Sequence, residues 1–169
     1  TYNLLGDPAL RIAGSASVPE PKLPAQVFLQ DLAQTYDGTA RTATVLTEPA
    51  GLAVDVTYDG SPAAPVSAGS YAVAATVADA DYEGTATGTL TVAKAVAAVT
   101  LGGLAQVYDG TARTATVLTE PAGLAVAVAY DGASAAPVSV GSYAVSAAVV
   151  DGNYDGSAAG TLVVAKGDQ

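Results

Sequence analysis

Residues 54–60, VDVTYDG, and residues 126–132, VAVAYDG, decide how this chain folds. Val54, Val56 and Tyr58 recur as Val126, Val128 and Tyr130, whereas Asp55 and Thr57 give way to Ala127 and Ala129. Fixed and changed positions alternate, and a period of two marks a strand with one face buried and the other open. The Asp-Gly that follows is the strongest short hairpin signal, because a type I′ turn needs positive φ at both central positions. A short half-buried strand closed by a tight turn is therefore the unit from which the chain is built.

The same alternation extends outward. Val73, Ala75 and Val77 are kept in the second copy while Ala74, Thr76 and Ala78 change; Tyr82, Gly84, Ala86 and Gly88 are kept while Asp81, Glu83, Thr85 and Thr87 change. The offset is 72 residues throughout. At that offset Ala25–Lys94 aligns with Ala97–Lys166 without a gap, about 51 of 70 positions are identical, and Thr39–Val54 recurs unchanged as Thr111–Val126. No 3.6-residue spacing is present. The turn signals Pro49-Ala50-Gly51 and Asp59-Gly60 recur in the second copy, and Ala68-Gly69-Ser70 returns as Val140-Gly141-Ser142; together they place strands at roughly 26–34, 42–47, 52–58, 63–67, 71–79, 82–86 and 88–93. The expected fold is all-β: two tandem small antiparallel β-sandwich domains of immunoglobulin-like type, with no helix of note. A β-grasp-like sheet is the rival, and the missing helix argues against it. The expected core is Leu29, Leu32, Val45, Val54, Val56, Val66, Val73, Val77, Leu90 and Val92 with the strand tyrosines.

The duplication divides the 169 residues into a leading piece, 1–12, a proline-rich connector, 13–24, repeat 1 at 25–96 and repeat 2 at 97–168. The connector, AGSASVPEPKLP, reads as extended and polyproline-like. Between the repeats Leu90–Lys94 runs into Val96–Leu101 with neither Pro nor Gly, which predicts a stiff junction.

Composition removes most site chemistry. The chain has no Cys and no His, so a Ser-His-Asp triad, a thiolate nucleophile and the common zinc sites are excluded. Sixteen acidic residues against six basic ones give a net charge of −10, which argues against nucleic acid or an anionic membrane as partner. No apolar run is long enough to span a bilayer. Carboxylates are plentiful, but nothing singles out a catalytic pair, and no Trp is present to line a sugar cleft. No catalytic residue is expected, and the chain is expected to be a monomer.

Two patterns could carry binding. A Tyr-acid-Gly triplet occurs six times, at Tyr36, Tyr58, Tyr82, Tyr108, Tyr130 and Tyr154. Tyrosines at loop tips offer large amphipathic area at low entropy cost, which makes Tyr36-Asp37 and Tyr108-Asp109 the candidates for holding a glycan or protein. The plainer reading is that each ring caps a sandwich end and wets its hydroxyl. Asp79, Asp81 and Glu83, with their counterparts Asp151, Asn153 and Asp155, place oxygen ligands at alternate positions before Gly, as a calcium loop does. The twelfth position of such a loop should be a bidentate Glu and here is Leu90 or Leu162. An EF-hand is excluded, and Ca2+ at an inter-strand loop is the one cofactor left to consider, against a solvated acidic turn.

The ordered set YDG, PAGL.V.V.YDG, P.SAGSY.V.A.V.D..Y.G and GTL.VAK resembles the MBG/YDG-type repeats of large bacterial surface proteins, over both copies. That resemblance implies extracellular all-β modules strung in tandem within adhesin-like proteins, with no catalytic residues. Tyr2–Ile12, YNLLGDPALRI, is similar to the C-terminal end of a gingipain-type cysteine peptidase domain, which implies an upstream peptidase-like neighbour. The function expected is an extracellular spacer or stalk of a bacterial surface or secreted protein. Its partners would be neighbouring repeats and an upstream domain of the same chain. The alternatives are an adhesive module recognising glycan or host protein through its Tyr-Asp-Gly turns, and an accessory domain of an upstream cysteine peptidase.

Overall fold

A computed structural model describes residues 20–167. The expected leading piece 1–12, and with it the peptidase-like match, lies outside the described residues, as do the first seven residues of the connector.

Repeat 1 contributes eight strands: β1 (Leu23–Pro24), β2 (Gln26–Gln30), β3 (Ala33–Thr35), β4 (Thr44–Glu48), β5 (Val54–Tyr58), β6 (Gly69–Val77), β7 (Tyr82–Glu83) and β8 (Thr85–Ala93). Repeat 2 follows the same plan with β9 (Ala95–Val96), β10 (Ala98–Gly102), β11 (Ala105–Val107), β12 (Thr116–Glu120), β13 (Val126–Tyr130), β14 (Gly141–Val149), β15 (Tyr154–Asp155) and β16 (Ser157–Ala165). The described residues form strands and turns and no helix. Each repeat is a small sandwich in which a four-stranded sheet, ordered β3-β8-β6-β5 or β11-β16-β14-β13, faces the two-stranded sheet β2-β4 or β10-β12.

The pairing is antiparallel except where β3 runs parallel to β8, β11 to β16, β1 to β7 and β9 to β15. The parallel pair β3-β8 exists because the first long strand changes sheets. Its residues 26–30 pair with β4, then Asp31 takes φ 57° and the chain crosses to the edge of the other sheet. In repeat 2 the same corner is Gly103, φ 63°. Asp and Gly are among the residues that tolerate the left-handed region, so the exchange of one for the other is the sequence signal of the corner. The single strand expected at 26–34 is therefore two.

The core follows the alternating positions. Val73, Leu90 and Val92 are buried with Tyr58, and Leu29, Leu32, Val56 and Tyr71 close over them; repeat 2 repeats this with Val145, Leu162, Val164 and Tyr130. Val66 is a correction: it is 45% exposed, and the strand expected at 63–67 does not form. Pro65 has no N–H to give a ladder, and its carbonyl instead accepts the Arg41 N–H at 2.8 Å. The expected pair 82–86 and 88–93 is likewise rearranged into the short β7 and the long β8.

The end of the proline-rich connector belongs to the sandwich. Leu23–Pro24 pairs with Tyr82–Glu83 of repeat 1, and the Lys22 ammonium donates to the Asp79 carbonyl at 2.5 Å. Seventy-two positions on, Ala95–Val96 pairs with Tyr154–Asp155 and Lys94 donates to the Asp151 carbonyl at 2.6 Å. One residue, Lys94, thus separates β8 from β9, which falls within 25–96 by sequence but pairs with β15 in the sandwich of repeat 2.

Candidate functional site

The six Tyr-acid-Gly triplets serve three different purposes. At 58–60 the chain makes the expected type I′ hairpin: Asp59 and Gly60 have φ 49° and 81°, and Tyr58 and Ser61 exchange backbone hydrogen bonds at 2.7 and 2.9 Å. Tyr58 points inward, 6% exposed, and its hydroxyl accepts the Ala43 N–H at 2.9 Å. Tyr130 does the same with Ala115.

At 82–84 the triplet is not a turn. Tyr82 and Glu83 are the strand that pairs with β1, and Gly84 lies so close to Ala25, the residue between β1 and β2, that a Cβ there would sit 2.3 Å from the Ala25 carbonyl oxygen. Gly156 stands in the same relation to Ala97, at 2.2 Å. Here glycine is required for close backbone approach, and φ plays no part.

At 36–38 the triplet opens a pinned loop. The Asp37 carboxylate accepts the Thr39 hydroxyl at 2.6 Å and the Thr39 N–H at 2.9 Å, and it pairs with Arg41 at 2.9 Å. The Thr39 hydroxyl bond, then the Thr39 N–H bond, hold the Asp37 carboxyl below the usual carboxylate range, with the Arg41 charge adding to them. Arg41 donates through Nε at 2.9 Å, and through Nη2, to the Thr35 carbonyl. The backbone immediately before Tyr36 is therefore held by the loop immediately after it. Asp109, Thr111 and Arg113 repeat every contact around Tyr108.

The two ends of this equivalence diverge in their surroundings. The Tyr36 ring meets Tyr154 of repeat 2 edge-on, centroids 5.3 Å apart and planes at 81°, an aromatic geometry that adds to plain area burial. Beside it the Ala68 N–H donates to the Asn153 side-chain oxygen at 2.9 Å. Tyr36 is thus part of the junction between repeats. Tyr108, its copy, is 45% exposed.

The acidic loops are occupied by their own backbone. Asp79 Oδ1 accepts the N–H groups of Asp81 and Tyr82 at 2.8 and 3.1 Å, and Asp151 Oδ1 accepts those of Asn153 and Tyr154 at 2.7 and 3.0 Å. Asn153 is taken by Ala68, while Glu83 and Asp155 lie in the short strands. Lys22 and Lys94 bring an ammonium to each loop. Among the described residues no group of three or more Asp, Glu, His or Cys side chains is placed to hold a metal ion.

A family model described as the MBG domain matches residues 25–96 and again residues 97–168. The chain belongs to the MBG domain family. No curated protein matches it. The two MBG repeats are tandem β-sandwich modules of one design, and the contacts that distinguish one from the other are those at their ends. The residues that make the junction, Ala68, Asn153 and Lys94, were not singled out as a group by motif reading. For two of them the signal lies in the differences between repeats: Ala68 becomes Val140 and Asp81 becomes Asn153.

Proposed function

We propose that the tandem MBG repeats are a structural spacer of an extracellular bacterial surface or secreted protein, holding a neighbouring domain at a set distance. The observation that carries this reading is the junction. A single residue, Lys94, links β8 to β9, and the link is fastened on both sides: the Tyr36 N–H donates to the Ala93 carbonyl on one, and the Ala95 N–H to the Asn153 carbonyl on the other, both at 2.8 Å. A flexible tether would need several unpaired residues, and this link has one.

The test is NMR relaxation on the whole chain, with residual dipolar couplings. The spacer reading expects both repeats to report one alignment tensor and one overall correlation time. Two independent tensors would overturn it.

The adhesive alternative rests on the repeated tyrosine turns. Because the Tyr36 ring is committed to the junction while Tyr108 is exposed, the two turns do not offer the same surface, and a duplicated binding site is not what the geometry supports best.

A further inference from the structure

Composition leaves one kind of side chain open to oxidation. Cys, Met, Trp and His are all absent and tyrosine occurs nine times, so no sulfur, indole or imidazole competes for an oxidant. A one-electron oxidant that reaches this chain acts on phenols. Their settings differ. Tyr58 and Tyr130 are buried in the two cores, and the Tyr71 and Tyr143 hydroxyls donate to the Ser67 and Ser139 carbonyls. Tyr108 is exposed. Tyr36 and Tyr154 are half-buried, within reach of solvent, and their rings meet at 5.3 Å and 81°. Among the described residues they are the one pair of aromatic rings in contact, and they stand on different repeats.

Both rings are carried by fixed backbone. The Tyr36 N–H donates to the Ala93 carbonyl at 2.8 Å, and Arg41 Nε holds the Thr35 carbonyl just before it at 2.9 Å. Tyr154 lies in β15, paired with β9, and its N–H donates to Asp151 Oδ1 at 3.0 Å. Beside the rings the bond from Ala68 to Asn153 ties the same two repeats. Reacting groups held in contact behave as if at very high concentration, whereas two separate chains of net charge −10 repel one another. Radical coupling at this pair is therefore favoured within a chain over coupling between chains. An edge-to-face pair must turn one ring to bring the carbons ortho to both hydroxyls together, and the broad torsion about Cβ–Cγ lets a ring turn without moving backbone.

We propose that Tyr36 and Tyr154 are an oxidative cross-linking site, at which a one-electron oxidant of peroxidase type, with hydrogen peroxide as terminal acceptor, joins the two rings as a dityrosine and staples repeat 1 to repeat 2. Each phenol gives up the hydrogen atom of its hydroxyl, and the pair of hydrogen atoms reduces one hydrogen peroxide to two waters. The two phenoxyl radicals then pair, forming a single carbon–carbon bond between one Cε atom of each ring. The hydrogen on each of those carbons moves to the oxygen of its own ring, which restores both phenols. The chain loses two hydrogen atoms and gains one bond. Without cysteine no disulfide is open to this chain, and a bridge from Tyr36 to Tyr154 would restrict the unfolded chain as a disulfide closing a long loop does. The site needs the geometry of the junction and not the spacer role.

The experiment treats the whole chain, kept dilute, with a haem peroxidase and hydrogen peroxide and separates the products on a denaturing gel. The monomer band is expected to carry dityrosine fluorescence, and its digest to contain the Tyr36 and Tyr154 peptides joined with the loss of two hydrogen atoms. The urea midpoint of the bridged monomer should lie above that of the untreated chain. Tyr36→Phe and Tyr154→Phe each keep the ring and remove the phenol, so each should abolish most of the monomer's fluorescence, while Tyr108→Phe should leave it unchanged. Fluorescence confined to cross-linked dimers overturns the proposal, as does a monomer bridge that survives Tyr36→Phe, or the absence of a bridge in a sample whose Tyr108 has been oxidised. The inference and the spacer reading fail separately. A missing bridge in a chain whose repeats share one alignment tensor defeats this inference alone, and a bridge that forms between repeats with independent tensors defeats the spacer reading alone.

Discussion

Tyr58-Asp59-Gly60 and Tyr82-Glu83-Gly84 are almost the same three residues, and they solve opposite problems. In the first, glycine is there for its backbone angle: Gly60 sits at φ 81° with nothing near its missing Cβ. In the second it is there for its lack of volume: Gly84 needs no unusual φ, but the Ala25 carbonyl occupies the place a methyl would take. The tyrosines differ in the same way. Tyr58 is sealed in the core with its hydroxyl bonded to backbone, while Tyr82 is half-buried at the end of the sandwich, at the position where Tyr154 of repeat 2 meets Tyr36. A short motif therefore fixes residue types without fixing which of their properties is used.

The sharpest way to break that contrast is Gly84→Ala. The methyl would lie 2.3 Å from a backbone oxygen, and backbone cannot swing aside as a side-chain tip can. Forced overpacking costs about 1–3 kcal/mol and occasionally more, and this contact belongs at the top of that range because it also separates β1 from β7. Gly60→Ala, where only φ is strained, should cost about 1 kcal/mol. Urea melts of the two variants against the unaltered chain check the order. Equal losses would mean that the two glycines are used alike.

Next in size is Tyr58→Phe. It preserves the ring and removes only the acceptor of the Ala43 N–H. Leaving a buried donor unsatisfied costs about 1–3 kcal/mol. Tyr82→Phe should cost clearly less, since among the described contacts the Tyr82 hydroxyl has no such task. Hydrogen exchange at Ala43 gives the local check: protection should drop in Tyr58→Phe and be unchanged in Tyr82→Phe.

How much of this was legible beforehand divides along the same line. Period-two alternation showed which positions face inward, because burial acts on every second residue and the duplication displayed the result directly; Val73, Val77, Leu90 and Val92 are buried as expected. The hairpin at Asp59-Gly60 was legible because its turn type demands those residues. What escaped was everything that depends on which strand lies beside which. The sheet change at Asp31 and Gly103 moves the chain to a parallel partner some sixty residues later in sequence, and the reason for Gly84 lies in Ala25. The same applies to the junction. Tyr36 and Tyr108 are identical in sequence and in their pinned loops, and only the neighbour of each tells them apart.

The smallest expected effect concerns that pinned loop, and it separates Asp37 from an acid that merely forms a turn. The Thr39 hydroxyl and N–H lower the Asp37 carboxyl pKa in the folded chain, whereas in the unfolded chain it returns to the ordinary value of about 3.9. A folded pKa below the unfolded one means that the unfolded chain binds the proton first. The stabilisation is therefore present above the unfolded pKa and is lost as pH falls through the folded one. Thr39→Ala deletes the hydroxyl bond, the largest of the causes, and should move the Asp37 carboxyl back toward the ordinary range while leaving Asp109, held by Thr111, where it was. Carboxyl carbon shifts followed by NMR from pH 6 to pH 2 read both groups in one sample, with repeat 2 as the internal control. At neutral pH the variant should melt almost as the unaltered chain does, because the group is exposed and its ion pair is screened. An unmoved Asp37 titration would instead place the control of that carboxyl with Arg41, and with it the hold on the backbone before Tyr36.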